Sequence, residues 1–187
     1  MALTAATPMH NPLSLAAERP TDAPLFDALI AHAFGPGRYA KAAERLREGR
    51  RSIAELSFLA WVEGRAVGCV RLWPILVGDA AALLLGPFAV DQRERSLGVG
   101  AALIRHACAA AAADGHRLVL LVGDLSYYGP LGFSVDQTHD VRMPGPVDQR
   151  RVLARALTPG AADGLAGLVR AAPRPLAIPV ASLKAAS

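Results

Sequence analysis

One stretch governs what this chain can fold into: Val90-Asp-Gln-Arg-Glu-Arg-Ser-Leu-Gly-Val-Gly-Ala101. It leaves a run of β-type residues, passes through two glycines one residue apart and enters a helical pattern. Val99, Leu103, Ala107 and Ala111 recur every fourth residue, with Ile104 and Cys108 beside them. That spacing predicts a helix with one apolar face from Gly98 to about Ala113. Asp114-Gly115 closes it in a helix-stop pattern. Leu118 to Val122 is a continuous apolar run, the signature of a strand covered on both faces. Strand, loop, helix and strand in this order predict a right-handed crossover between two parallel strands. Glycines let the backbone approach a ligand closely, and the first N–H groups of a helix lack intrahelical partners. Together with the helix dipole they make a seat for a phosphate. Arg95 stands just before the glycines, where a guanidinium pairs with a phosphate or fixes the turn.

The loop does not match the common nucleotide fingerprints. A dinucleotide-binding loop would carry a third glycine where Leu103 stands, and it would sit in an early βαβ unit. A Walker-type loop needs Gly-Lys-Ser/Thr, which is missing. Here a block of β-type sequence comes first. Leu56 to Val62, Ala66 to Val77 and Ala81 to Val90 read as three strands joined by the turns Glu63-Gly64 and Gly78-Asp79. Gly86-Pro87 interrupts the third; proline removes a ladder donor, so a bulge or an edge is expected there.

Ahead of that block, Leu13 to Ala17 is a candidate first strand. Thr21 and Asp22 are candidate caps for a helix through Ala33, closed by Gly35-Pro36-Gly37. A second helix is expected from Arg38 to Glu48. Beyond the crossover, Asp124 to Phe133 has room for a brief helix holding Ser126, Tyr127 and Tyr128, stopped by Gly129-Pro130. Phe133 to Val135 and Arg151 to Leu157 are expected to form the last antiparallel pair. With 187 residues, the chain suits a single domain over 1–187, with 1–11 a loose leader and 172–187 a draped or mobile tail.

Composition narrows the setting. No apolar run reaches the ~18–20 residues needed to span a bilayer, and the start lacks the basic and apolar regions of a secretory signal. These features predict a cytoplasmic protein with no membrane partner. Cys69 and Cys108 belong to no metal-spaced cluster and read as buried thiols, so no metal is expected. The net charge of +4 comes from 20 Lys and Arg against 16 Asp and Glu. Arg45, Arg47, Arg50 and Arg51 form a cluster that reads as a solvated helix end rather than a nucleic-acid surface.

The residues from Leu85 to Val135 resemble the GNAT superfamily of N-acetyltransferases. Its Q/R-x-x-G-x-G/A pattern is matched by Arg95, Gly98 and Gly100, after a strand ending Phe88-Ala89-Val90. A Y-x-x-x-G-F motif follows the next strand as Tyr128-Gly129-Pro130-Leu131-Gly132-Phe133. Gln92 replaces the proline common before the loop, which leaves the loop chemistry intact. Val122-Gly123-Asp124, Met143-Pro144-Gly145-Pro146 and the late segment Leu157 to Arg170 are similar to a bacterial subgroup, the YhbS-like predicted acetyltransferases. With these, the likeness runs from about Ala54 to Arg170.

The resemblance implies an α/β fold with a mixed, twisted central sheet of about seven strands flanked by helices. A strand splayed from its parallel neighbour opens a V-shaped cleft for acetyl-CoA. Phe88, Ala89 and Val90 would run beside the pantetheine, and Arg95, Ser96, Leu97, Gly98, Val99, Gly100 and Ala101 would hold the pyrophosphate. The reaction implied is direct attack of an amine, from a small molecule or a protein, on the thioester. It needs a deprotonated amine, a donor to the developing oxyanion and a proton for the leaving thiolate. Tyr128 stands where relatives place a general acid, whereas Tyr127 reads as a cleft wall. Relatives often carry a glutamate base on the third or fourth strand, yet Ala81 to Val90 holds no acid. Asp124, at the end of a parallel strand, is the candidate base and also a candidate helix cap. His106 and His116 read as surface residues, and Cys108 as core. The alternative function is a non-catalytic acetyl-CoA-binding sensor or regulatory module; the missing strand acid keeps it open. Pro20 to Arg51 and Thr138 to Arg150, where acceptor specificity would reside, show no aromatic cage and few placed acids. The sequence does not divide monomer from homodimer.

Overall fold

A computed structural model describes residues 13–35 and 42–173. The expected leader and most of the expected tail lie outside them, as do residues 36–37 of the expected helix stop and 38–41 of the expected second helix. The described chain forms a sheet in which β1 (Ser14–Ala17), β2 (Phe58–Val62), β3 (Arg65–Val77), β4 (Ala80–Val90), β5 (Leu118–Val122) and β7 (Val152–Ala156) lie side by side. β8 (Ala166–Ala171) pairs with the far end of β3 at Ile75–Val77, and β6 (Asp140–Arg142) pairs with β8. The sheet has eight strands against about seven expected, and is mostly antiparallel. The parallel pairs are β4 with β5 and β6 with β8.

The helix expected from the four-residue stripe is present, while of the second expected helix, Arg38 to Glu48, only Ala42–Arg45 is helical among the described residues and 46–49 form a turn. α1 spans Ala23–Phe34, α2 Ala42–Arg45, α3 Val99–Ala113 and α4 Leu125–Tyr128. α3 lays Val99, Leu103, Ile104, Ala107, Cys108 and Ala111 against one face of the sheet, on Leu83, Leu85, Val119 and Leu121. The alternate residues Ala82, Leu84, Leu118 and Leu120 point to the other face, where they share a buried cluster with Trp73 and Val152 of the neighbouring strands and with Leu46, Met143 and Leu165. Period-two alternation with both faces covered explains why Leu118–Val122 is apolar throughout. α1 buries Phe26 and Ile30 beside Leu59, Cys69 and Ala89.

Three expectations need correction. Phe133–Val135 forms no strand; it contributes a single bridge, Ser134 to Ala154, and β7 pairs along its length with β5 instead. Gly132 in the left-handed region (φ 86°) and the Thr138 turn on Val135 leave too little extended chain. Asp22 does not cap α1 with its side chain: it takes hydrogen bonds from the Arg19 backbone and guanidinium at 3.0 Å. The arginine cluster is not uniformly solvated either. Arg47 turns inward, its side chain 12% exposed, because the turn after α2 packs Leu46 in the core and carries the next residue with it.

Candidate active site

β4 and β5 are paired at Leu83–Val119 and Leu84–Leu120, after which they part. One cause is in β4 itself. Against β3, Leu85 faces Leu72 and Phe88 faces Val70, so β4 spends an extra residue across Gly86-Pro87. That is the expected bulge, and Gly86 supplies its φ of 127°, which a side chain would oppose. Between the parted strands lies a cleft of about 770 Å³. Leu85 to Val90 form one wall, and Leu121 to Asp124 with Tyr127 and Tyr128 form the other.

The glycine loop meets the cleft from behind. Gln92–Leu97 makes a 3-10 turn, Gly98 takes the left-handed conformation (φ 75°, ψ 4°), and α3 starts at Val99. The first helical hydrogen bond is donated by Ala102 to Gly98. The N–H groups of Val99, Gly100 and Ala101 open α3 and have no intrahelical acceptor, and no acidic residue stands in the first turn. These are the orphan donors that suit an anion. Gly100 lies beneath the Tyr127 hydroxyl and the Phe88 ring, so a side chain there would collide with both. Arg95 and Ser96 lie in the 3-10 turn; their side chains are outside the described part of the structure.

A feature that sequence reading missed holds this loop. Arg65, at the start of β3, reaches Asp91 at 3.1 Å and Glu94 at 2.7 Å. Asp91 also accepts the Arg93 backbone N–H at 3.0 Å, and this bond, with Arg65, holds its carboxyl below the usual carboxylate range. Pairings 26 and 29 residues apart leave no local sequence signal.

Tyr128 packs among aromatics. Its ring centroid is 4.9 Å from Tyr127, 5.9 Å from Phe133 and 6.4 Å from Phe88, each edge-on. Its ring also covers Gly123, where a Cβ would displace it. Burial pushes the phenol well above its usual range, and no hydrogen bond among the described residues ties its hydroxyl down. Tyr127 is 44% exposed on the cleft wall.

Asp124 lines the cleft 3.2 Å from the Arg151 guanidinium. Its backbone carbonyl accepts from Tyr127 and Tyr128, while its side chain does not cap α4. His106 is exposed and edge-on to Phe58, and His116 pairs with Asp114; neither lines the cleft. Cys108 is buried under α3, where desolvation raises its pKa. Thus Phe88, Ala89, Val90, Gly100, Asp124 and Tyr128 converge on one cleft, with Leu97 to Val99 and Ala101 at its back.

A splayed parallel pair, a glycine-opened helix behind it and an aromatic wall define a protein class, and the chain belongs to it: the acetyltransferase (GNAT) family, whose model matches residues 25–133. The uncharacterized N-acetyltransferase YhbS of Escherichia coli K12 is 30% identical over 155 residues, covering 81% of this chain and 92% of that protein. Among solved structures, the E. coli YhbS complex with CoA matches with a TM-score of 0.76 and 26% identity, covering 90% of this chain and 94% of the other. A GNAT family acetyltransferase from Brucella melitensis, solved with acetyl-CoA, matches with a TM-score of 0.57 and 27% identity, covering 82% and 100%.

Among the described residues, no helix is long and apolar enough to cross a membrane, and no group of three or more His, Cys, Asp or Glu is placed to hold a metal.

Proposed function

We propose that this chain is a single-domain, cytoplasmic enzyme that transfers an acetyl group from acetyl-CoA to an amine by direct attack. The parting of β4 from β5 at Leu84, with the free amides of Val99–Ala101 at the start of α3 behind it, is the observation that carries this reading. The open edge of β4 suits the amide-bearing pantetheine, and the orphan amides suit the pyrophosphate. The CoA and acetyl-CoA complexes of the two structural relatives support the same donor.

In the reaction, the amine nitrogen bonds to the thioester carbon and the carbon–sulfur bond breaks. Tyr128 donates its phenolic proton to the sulfur as that bond breaks. The phenolate is costly in so apolar a setting, so it retakes a proton, leaving one proton transferred in total from the amine to the thiol. Asp124 accepts the amine proton, directly or through water. Acetyl-CoA and CoA should bind in a calorimetric titration, and NADH should not. A thiol-release assay against a panel of amines should then show turnover. Failure of acetyl-CoA to bind would remove the proposal; binding without turnover of any amine would leave the sensor reading in its place.

A further inference from the structure

Two residues that line the cleft each carry a buried N–H with no acceptor among the described residues. Arg47 gives Nη1 to Glu44 at 3.1 Å, and its Nη2 lies 2.9 Å from where a Cβ on Gly86 would stand. Its Nε is buried with no acceptor among the described residues. Trp73, 8% exposed, carries its indole Nε1 in the same condition. Both residues line the cleft beside the β4 bulge, on the side away from the glycine loop. Buried polar groups are nearly always satisfied in a working protein, so each orphan needs a partner. A cationic fork and an indole N–H can only donate, so the partner must accept.

Acids complete the picture. Asp27 lines the same cleft and forms no ion pair among the described residues, whereas Glu44, Asp124 and Asp148 are each engaged by an arginine. The arrangement offers donors for an anion and a carboxylate for an ammonium.

We infer that the acceptor is a small amine that carries a carboxylate, with Arg47 and Trp73 receiving the carboxylate beside the β4 bulge. This rests on the acetyl-transfer reading above. An amine without the carboxylate would leave two desolvated donors unpaired, the arrangement by which enzymes reject an analogue most strongly. A lysine has no Nε–H to replace the orphan donor of Arg47 while keeping the pair with Glu44, so it is a poor substitute there.

The test uses the common amino acids, their carboxamides and the matching amines lacking the carboxyl group. Each is titrated into the protein saturated with CoA and assayed for turnover with acetyl-CoA. At least one amino acid should bind and accept acetyl, with kcat/KM at least about 100-fold above its amide and its decarboxylated partner. Trp73→Phe and Arg47→Lys should each raise the amino acid's KM about tenfold or more, with acetyl-CoA affinity unchanged. Arg47→Gln should abolish the preference between acid and amide, and acetyl-CoA binding by each variant shows that it has folded. The inference is overturned if no amino acid binds the CoA complex, or if the amides serve as well. It also falls if Arg47→Gln weakens acetyl-CoA and slows every amine alike, since that would place Arg47 on the thioester. Loss of acetyl-CoA binding by the unaltered protein would instead sink the acetyl-transfer reading itself.

Discussion

Tyr128 is fixed by shape before it is useful chemically. Its ring fills the space over Gly123 and stacks edge-on with Tyr127 and Phe133, so removing the hydroxyl alone should leave the packing in place. Tyr128→Phe is expected to keep acetyl-CoA affinity within about threefold while kcat falls by about 10²–10⁴, the usual contribution of a positioned acid. Equal loss of binding and turnover would make the tyrosine a packing residue. The pH profile gives a second check. An acid is active while protonated, and burial raises this phenol's pKa, so the neutral form persists to higher pH than for a free tyrosine. The alkaline limb of kcat due to Tyr128 should therefore lie above about pH 10. A tyrosine-dependent decline near pH 8 would contradict the role.

The elements differ in how openly the sequence declares them. β5 coincides with the apolar run Leu118–Val122, and α3 with the four-residue stripe, because burial there follows a strict local period. β8 was invisible: Ala166-Gly-Leu-Val-Arg-Ala171 is half small residues, and its strand character comes from pairing with the end of β3 more than 90 residues away. β6 is three residues long, and only Val141 is buried. The site divides in the same way. The glycine loop and Tyr128 sit in contiguous motifs, whereas Arg47 reads in sequence as one of a solvated cluster and the turn after α2 brings it against Gly86. The Arg65 tie to Asp91 and Glu94 was equally illegible, and it makes a prediction about the loop as an element. Arg65→Ala leaves Glu94, 7% exposed, without its cation and frees the 3-10 turn that presents the amides. KM for acetyl-CoA should rise about tenfold with kcat unchanged. Since Arg65 is half exposed, stability should fall by only about 1 kcal/mol, or roughly 2–4 °C in Tm. An unchanged KM would mean that the loop holds its shape without this tie.

At the scale of the whole molecule, the two faces of the sheet are apolar and the segments around them are fastened by carboxylate–arginine ties. Asp22 closes on Arg19 where the chain enters α1, Asp91 binds the glycine loop, and Asp148 closes on Arg150 in the loop that borders the cleft. In each case a hydrogen bond to the carboxylate is the main reason its pKa is lowered: from the Arg19 side chain, the Arg93 backbone and the Arg150 side chain, respectively. A carboxyl group depressed in the folded state binds protons more readily when unfolded. Its stabilisation is therefore complete above the unfolded pKa of about 3.9 and disappears as pH falls through the lower folded value. The chain already carries a formal charge of +4 at pH 7, and protonating its 16 carboxylates adds repulsion in the same window. Tm should therefore stay level from about pH 8 to pH 5 and drop steeply below about pH 4. Because these ties are largely at the surface, salt near 0.5 M should shrink the contribution of each pair and flatten the drop. Substituting Asp22 by Asn should lower Tm at pH 7 and lose that effect as pH falls below the unfolded carboxylate value and through the lowered folded one. A Tm that already declines between pH 7 and pH 5 would move control of acid stability from these aspartates to the five histidines.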